Sequence, residues 1–140
     1  MRDLHNNIDV KRVISPVSVA DTTAQVGQII DRQGYESLEY VVATGSIADA
    51  DATFTVLLEE SDDSGMSGSN AVADEDLIGT EVLAGFQFDD DNECRKLGYK
   101  GHKRYTRLTI TPVANASAAL LSAVAVLGSP HNAPTANPPA

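Results

Sequence analysis

The sequence holds one cysteine, no tryptophan and three histidines in 140 residues. Cys94 has no second cysteine to pair with, so an internal disulfide framework is excluded. His5, His102 and His131 lie too far apart in sequence to suggest a zinc site with Cys94. No apolar run reaches the roughly 18 residues that a membrane-crossing helix needs, and Met1 to Val10 is too polar for a secretory apolar core, so no export signal is expected. Neither a G-x-S-x-G elbow nor an H-E-x-x-H pair occurs, and the acids gather in turns rather than around a nucleophile. The chain is therefore expected to be neither an enzyme nor the holder of a cofactor or a metal.

Charge is missing from one region in particular. Residues 108–140 contain no Asp, Glu, Lys or Arg, whereas residues 1–93 carry all 20 acids against four bases, a net of −16. The other six bases, Arg95, Lys96, Lys100, Lys103, Arg104 and Arg107, fall within 14 residues that contain no acid. A net charge of −10 argues against nucleic-acid binding, which needs positive surface to displace counterions from phosphate. An uncharged stretch of that length also lacks the groups that keep a free surface solvated, so much of it is expected to be buried, in the core or against a partner.

The chain has 42% hydrophobic and 21% charged residues, the composition of one globular domain. The apolar period is mostly two, the mark of strands. Glu36–Thr44, Thr53–Glu60, Glu81–Phe88 with a bulge at Gly85, and Arg104–Thr111 ended by Pro112 all read as strands. Val10–Ile14, Ala24–Asp31 and Cys94–Tyr99 are weaker examples. Ala118–Leu127 is apolar on both faces; its β-branched Val124 and Val126 and the stop at Gly128 and Pro130 favour a strand covered on both sides. Ser61–Asn70 reads as an exposed loop, Ala71–Ile78 as a short helical turn and Gly98–Lys103 as a hairpin tip. Seven to nine short strands at this spacing predict an all-β fold, an antiparallel β-sandwich of jelly-roll or immunoglobulin-like type. The sandwich is expected to cover residues 15–128, between an extended N-terminal arm, 1–14, and a C-terminal tail, 129–140, rich in Pro, Ala and Asn.

Asp89–Glu93 offers hard oxygen atoms, but adjacent residues cannot all point at one cation and the glycine-containing spacing of a calcium loop is missing, so a solvated turn is expected. The six bases surrounding Tyr99 and Tyr105 suit contact with an acidic protein surface better than nucleic acid. Ordering unpatterned ends costs roughly 1–2 kcal/mol per residue, so terminal segments of this kind are expected to persist because a partner orders them.

Three stretches carry a family resemblance: Ile29–Gly65 (IIDRQGYESLEYVVATGSIADADATFTVLLEESDDSG), Ala73–Glu81 (ADEDLIGTE) and Arg95–Pro112 (RKLGYKGHKRYTRLTITP). Together they resemble small head proteins of tailed bacteriophages, described as capsid decoration, cement or auxiliary head proteins. The resemblance implies a virion structural protein, made in the bacterial host cytoplasm, that binds the outer capsid surface between capsomers as a homotrimer and stabilises the head. Its partners would be the major capsid protein and its own copies, with no nucleic acid and no membrane. On this reading Leu4, Ile8, Val10, Val13 and Ile14 anchor the N-terminal arm. Arg95, Lys100, Lys103, Arg104 and Arg107 would make intersubunit contacts. The alternatives are a head-completion or tail-tube component, and a virion-surface glycan-binding sandwich, against which stands the lack of tryptophan for sugar stacking.

Overall fold

The computed structural model describes residues 2–139. Eleven strands form two antiparallel sheets: β1 (Ile8–Val19), β2 (Gln25–Val26), β3 (Ile30–Asp31), β4 (Tyr35–Ile47), β5 (Thr53–Ser61), β6 (Asn70–Ala71), β7 (Leu77–Ile78), β8 (Phe86–Gln87), β9 (Cys94–Tyr99), β10 (Tyr105–Val113) and β11 (Ala119–Pro130). The first sheet runs β1-β11-β4-β9-β7, and the second runs β2-β10-β5-β6, with β3 beside β10 and β8 beside β5. The protein is a β-sandwich, as the period of two predicts.

Alternation places the core. In β4, Leu38, Tyr40 and Val42 point inward; in β11, Leu121, Ala123, Ala125 and Leu127 do, and all are buried. Phe54, Val56 and Leu58 of β5 and Leu108 and Ile110 of β10 meet them from the second sheet. Phe54 and Phe86 stack with centroids 4.6 Å apart. Two hydroxyl contacts cross the apolar layer. Tyr40 of β4 shares a 2.6 Å hydrogen bond with buried Thr106 of β10, and Tyr99 of β9 donates to Glu60 of β5 at 2.6 Å. Burial pushes both phenols up, so both stay protonated at neutral pH.

Four expectations are corrected. First, residues 8–14 are no arm: they begin β1, which pairs with β11 from Ile8↔Gly128 to Val19↔Ala119. Val13 and Ile14 are buried in the core and anchor nothing outside the molecule. The C-terminal segment returns to the same corner, where Thr135 donates its backbone N–H to the Asn6 carbonyl at 3.0 Å. Second, Glu81–Ala84 is one helical turn, α1, rather than a strand, because Thr80 caps it by accepting from Leu83 N–H at 3.1 Å. Only Phe86–Gln87 continues as strand.

Third, β10 runs through Pro112 to Val113. Leu58 turns its N–H to Glu81 and its carbonyl to Val72, away from β10. Thus 58↔108 and, two steps on, Pro112↔Phe54 are positions where β5 requires no N–H from β10. Fourth, Gly98–Lys103 is a crossover between sheets and not a hairpin tip, since β9 belongs to the first sheet and β10 to the second.

Tyr40→Phe leaves the Thr106 hydroxyl buried without its partner and is expected to lower stability by about 1–3 kcal/mol in urea unfolding. Removal of residues 1–14 takes away half of an edge strand and two core side chains. A chain so shortened is expected to show no cooperative unfolding transition, whereas one lacking residues 136–140 keeps it.

Candidate functional site

The outward positions of the first sheet form rows that the strand register fixes. One row reads Val10, Val126, Glu39, Gly98 and Ile78 across β1, β11, β4, β9 and β7. The next reads Arg12, Val124, Val41 and Lys96, followed by Ser122, Ala43 and Cys94. Leu120 lies beyond them on β11. Val10 is 40% exposed, Leu120 46% and Ile78 56%, while Val41, Val124 and Val126 are half-buried among their neighbours. The uncharged β11 is therefore covered on its inner side only. Its outer side is the middle of an open apolar face, which differs from the expectation of a strand covered on both sides.

Two depressions mark this face. One, of about 330 Å³, is lined by Leu4, Ile8, Glu39, Ile78, Val126 and Gly128. The other, of about 320 Å³, is lined by Pro16, Ser18, Gly45, Leu120 and Ser122. Gly98 lets Glu39 and Ile78, which line the first, close over its backbone: a Cβ there would stand 2.7 Å from Glu39 Oε2 and 2.9 Å from the Ile78 Cβ. Glu39 is half-buried, and burial pushes its carboxyl up, opposed by the charge of Lys96. Every other acid lies off the outward positions of these five strands.

The residues singled out from the sequence divide into two groups. Leu4, Ile8 and Val10 meet at the Glu39 end of the face, Leu4 being 59% exposed. Most of the basic residues are engaged within the chain and do not form one patch. Arg95 pairs with Asp90 at 2.8 Å and Glu93 at 2.7 Å; Lys103 pairs with Asp62, and Arg107 with Glu59 at 3.3 Å. Arg104 grips Asp31 through two bonds of 2.8 and 2.9 Å, which holds the Asp31 carboxyl below its usual range. Lys100 is exposed, with its backbone N–H on the Asp76 carbonyl at 2.9 Å. The block is dispersed because the β9–β10 crossover sends its two halves to different sheets.

The acids of the turns work as caps. Asp91 accepts from Ile47 N–H at 3.0 Å, Asp90 from Gln87 N–H at 2.8 Å, and Asp49 from Ala116 N–H at 2.7 Å. Among the described residues no group of three or more His, Cys, Asp and Glu is placed to hold a metal ion. Sequence reasoning missed Glu39, Val41, Ile78 and Gly98. The signal available for the face was the pair Val124 and Val126 on a strand without charge.

No protein-family model matches the sequence, and no curated protein matches it. Among solved structures, the chain is similar to the CBM22-1–GH10 modules of Clostridium thermocellum xylanase 10B, determined with xylohexaose. There the identity is 13% and the TM-score 0.46, over 96% of this chain and 29% of that one. The C-terminal family 22 carbohydrate-binding module of the same xylanase gives 9% identity and a TM-score of 0.42, over 91% and 98% of the two chains. The xylan-binding module CBM15 gives 8% and 0.41, over 93% and 95%. This chain thus spans under a third of the first of these proteins, and no ligand is carried over from any of them.

The raised carboxyl of Glu39 has a consequence for stability. A group whose folded value lies above its unfolded one favours folding while protonated, and that contribution is lost as pH rises through the folded value. Glu39→Gln removes the burden of a charged, half-buried carboxylate. In the dilute, monomeric chain it is expected to raise the thermal midpoint at about pH 7 and to leave it unchanged near pH 3, where Glu39 is protonated in both states. Melts of the two proteins at the two pH values check this.

Proposed function

We propose that this chain is a non-catalytic structural protein of a tailed-phage particle that assembles through the outer face of its five-stranded sheet. The observation that carries the reading is the face itself. Val10, Val41, Val124, Val126, Leu120 and Ile78 lie together on a molecule of net charge −10 that places its other acids elsewhere. Contiguous apolar surface beyond a few hundred Å² is uncommon on soluble monomers and marks contact with a partner. The phage-like stretches quoted above support the particle as its setting. Assembly on this reading uses a sheet surface together with Leu4, Ile8 and Val10, and no free arms.

Glycan binding is the second reading, favoured by a groove of about 420 Å³ with Phe54, Phe86, Glu81, Gln87 and Asp90 among its lining. Its chemistry is less suitable. Phe54 and Phe86 are buried and stacked on each other, so no ring face is offered to a sugar, and Glu81 and Asp90 already accept from Leu58 and Gln87.

Leu120→Glu and Val10→Glu alter exposed positions and are expected to shift stability by no more than about 0.5 kcal/mol. Each is expected to deplete the protein from purified particles, as read by quantitative mass spectrometry of virions. Undiminished occupancy by both variants overturns the reading, and saturable binding in a glycan screen, lost on substituting Gln87, establishes the rival.

A further inference from the structure

The outer face carries three charges in its rows, Arg12, Glu39 and Lys96, for a net of +1 on a chain of net −10. Two copies meeting by any acid-rich surface repel each other; meeting by this one, they do not. The three charges are also incompletely used within one copy. Glu39 has no hydrogen bond or ion pair among the described residues, and Arg12 is bonded to the Ser15 hydroxyl at 2.9 Å rather than to an acid. Lys96 stands one row from Glu39 on the neighbouring strand, where its charge acts on the Glu39 carboxyl without an ion pair forming between them.

The register supplies the remaining geometry. Glu39 lies in the row of Val10, Val126 and Gly98, and Lys96 in the adjacent row of Val124 and Val41. A two-fold axis running across the strands between these rows exchanges them. It lays the Glu39 of one copy over the Val41 of the other, beside that copy's Lys96, and does the same in reverse. The valines of the two faces then meet around the axis. Five strands about 4.8 Å apart, the longest of 12 and 13 residues, present on the order of 600–800 Å². A stable interface uses roughly 800 Å² per partner.

We infer that the occupant of this face is a second copy of the same chain, packed sheet to sheet about a two-fold axis, with Glu39 of each copy paired to Lys96 of the other. The inference rests on the proposed use of the face as a docking surface and names its partner. The contact is isologous, so it closes at two copies and presents both second sheets outward, with Thr55, Thr109, Thr111 and the Arg107–Glu59 pair beside the exposed Leu57 and Val113.

The test uses the full chain and sedimentation equilibrium. The unaltered protein is expected to be a dimer whose dissociation is insensitive to substitutions on the second sheet. Glu39→Lys and Lys96→Glu, each alone, place like charges opposite each other and are expected to weaken the dimer at least tenfold. Mixing the two variants restores both pairs in trans, one with the original Glu39 and Lys96 and the other with the same two charges exchanged. The mixture is expected to recover affinity to within about threefold of the unaltered protein. Thermal melts confirm that each variant is folded before it is weighed. A chain that stays monomeric while entering particles through this face overturns the self-pairing and leaves the proposed function standing. A monomer that also fails to enter particles overturns both. A trimer or ring, or a dimer that ignores the charge changes and their mixture, overturns the inference as well.

Discussion

The rest of the structure depends on the pairing of β11 with β1 on one side and β4 on the other. This ladder joins the last long strand of the chain to the first, from Ile8↔Gly128 to Val19↔Ala119, and continues into the middle of the sheet through β4. It sets two surfaces at once. Successive residues of β11 point to opposite sides, so Leu121, Ala123, Ala125 and Leu127 build the core while Leu120, Val124 and Val126 build the outer face. A register slip of one residue would exchange the two sets. The bulges of β1 around Ile14 and the proline at position 16 interrupt what would otherwise be a long, regular edge open to strand addition. On the proposed reading, association is directed to the face and away from the edge.

Electrostatics divides the molecule in the same way. Many of the acids are tied into turns as caps or to nearby bases as ion pairs, as with Asp91 on Ile47 N–H and Arg104 on Asp31. Exposed pairs of this kind add little to stability, typically below about 1 kcal/mol each. Their effect is on where partners can approach. Beyond a Debye length of about 8–10 Å the negative surface is screened, so its repulsion acts at short range, where two surfaces are already choosing an orientation. A face with one acid and two bases escapes that penalty. The cost is a half-buried Glu39 whose charged form burial disfavours.

Much of this was legible in the sequence. Strands β4, β5, β9 and most of β10 follow from period-two patterning, because each buries one side and wets or exposes the other, whereas β11 is marked by Val124, Val126 and the stop at Gly128 and Pro130 rather than by alternation. The loop over 61–70 and the turn near Asp74 follow from their Gly, Ser and Asp content. What escaped did so for identifiable reasons. Val13 and Ile14 look sparse beside Asp9, Lys11 and Arg12, and their role emerges only when β11 supplies the other half of the ladder more than 100 residues away. Glu81–Ala84 alternates well enough for a strand, yet the Thr80 cap decides for a helical turn. Pro112 reads as a stop unless it is known which way Phe54 directs its backbone. The basic block looked like one patch because it is contiguous, and the β9–β10 crossover divides it between sheets. The absence of charge after Arg107 points to burial, and on β11 the inner side alone shows it, because alternation leaves Leu120, Val124 and Val126 on the other side.

The central claim is that the outer face of the five-stranded sheet is covered when the protein works. Cys94 is an exposed thiol on that face, in the row of Ser122 and Ala43, and is the single cysteine of the chain. Its alkylation rate, followed by mass spectrometry in the assembled form and in the dilute, dissociated chain, reads the covering directly. Marked slowing on assembly, lost again on dilution, is the predicted result. Equal rates in the two forms would contradict it.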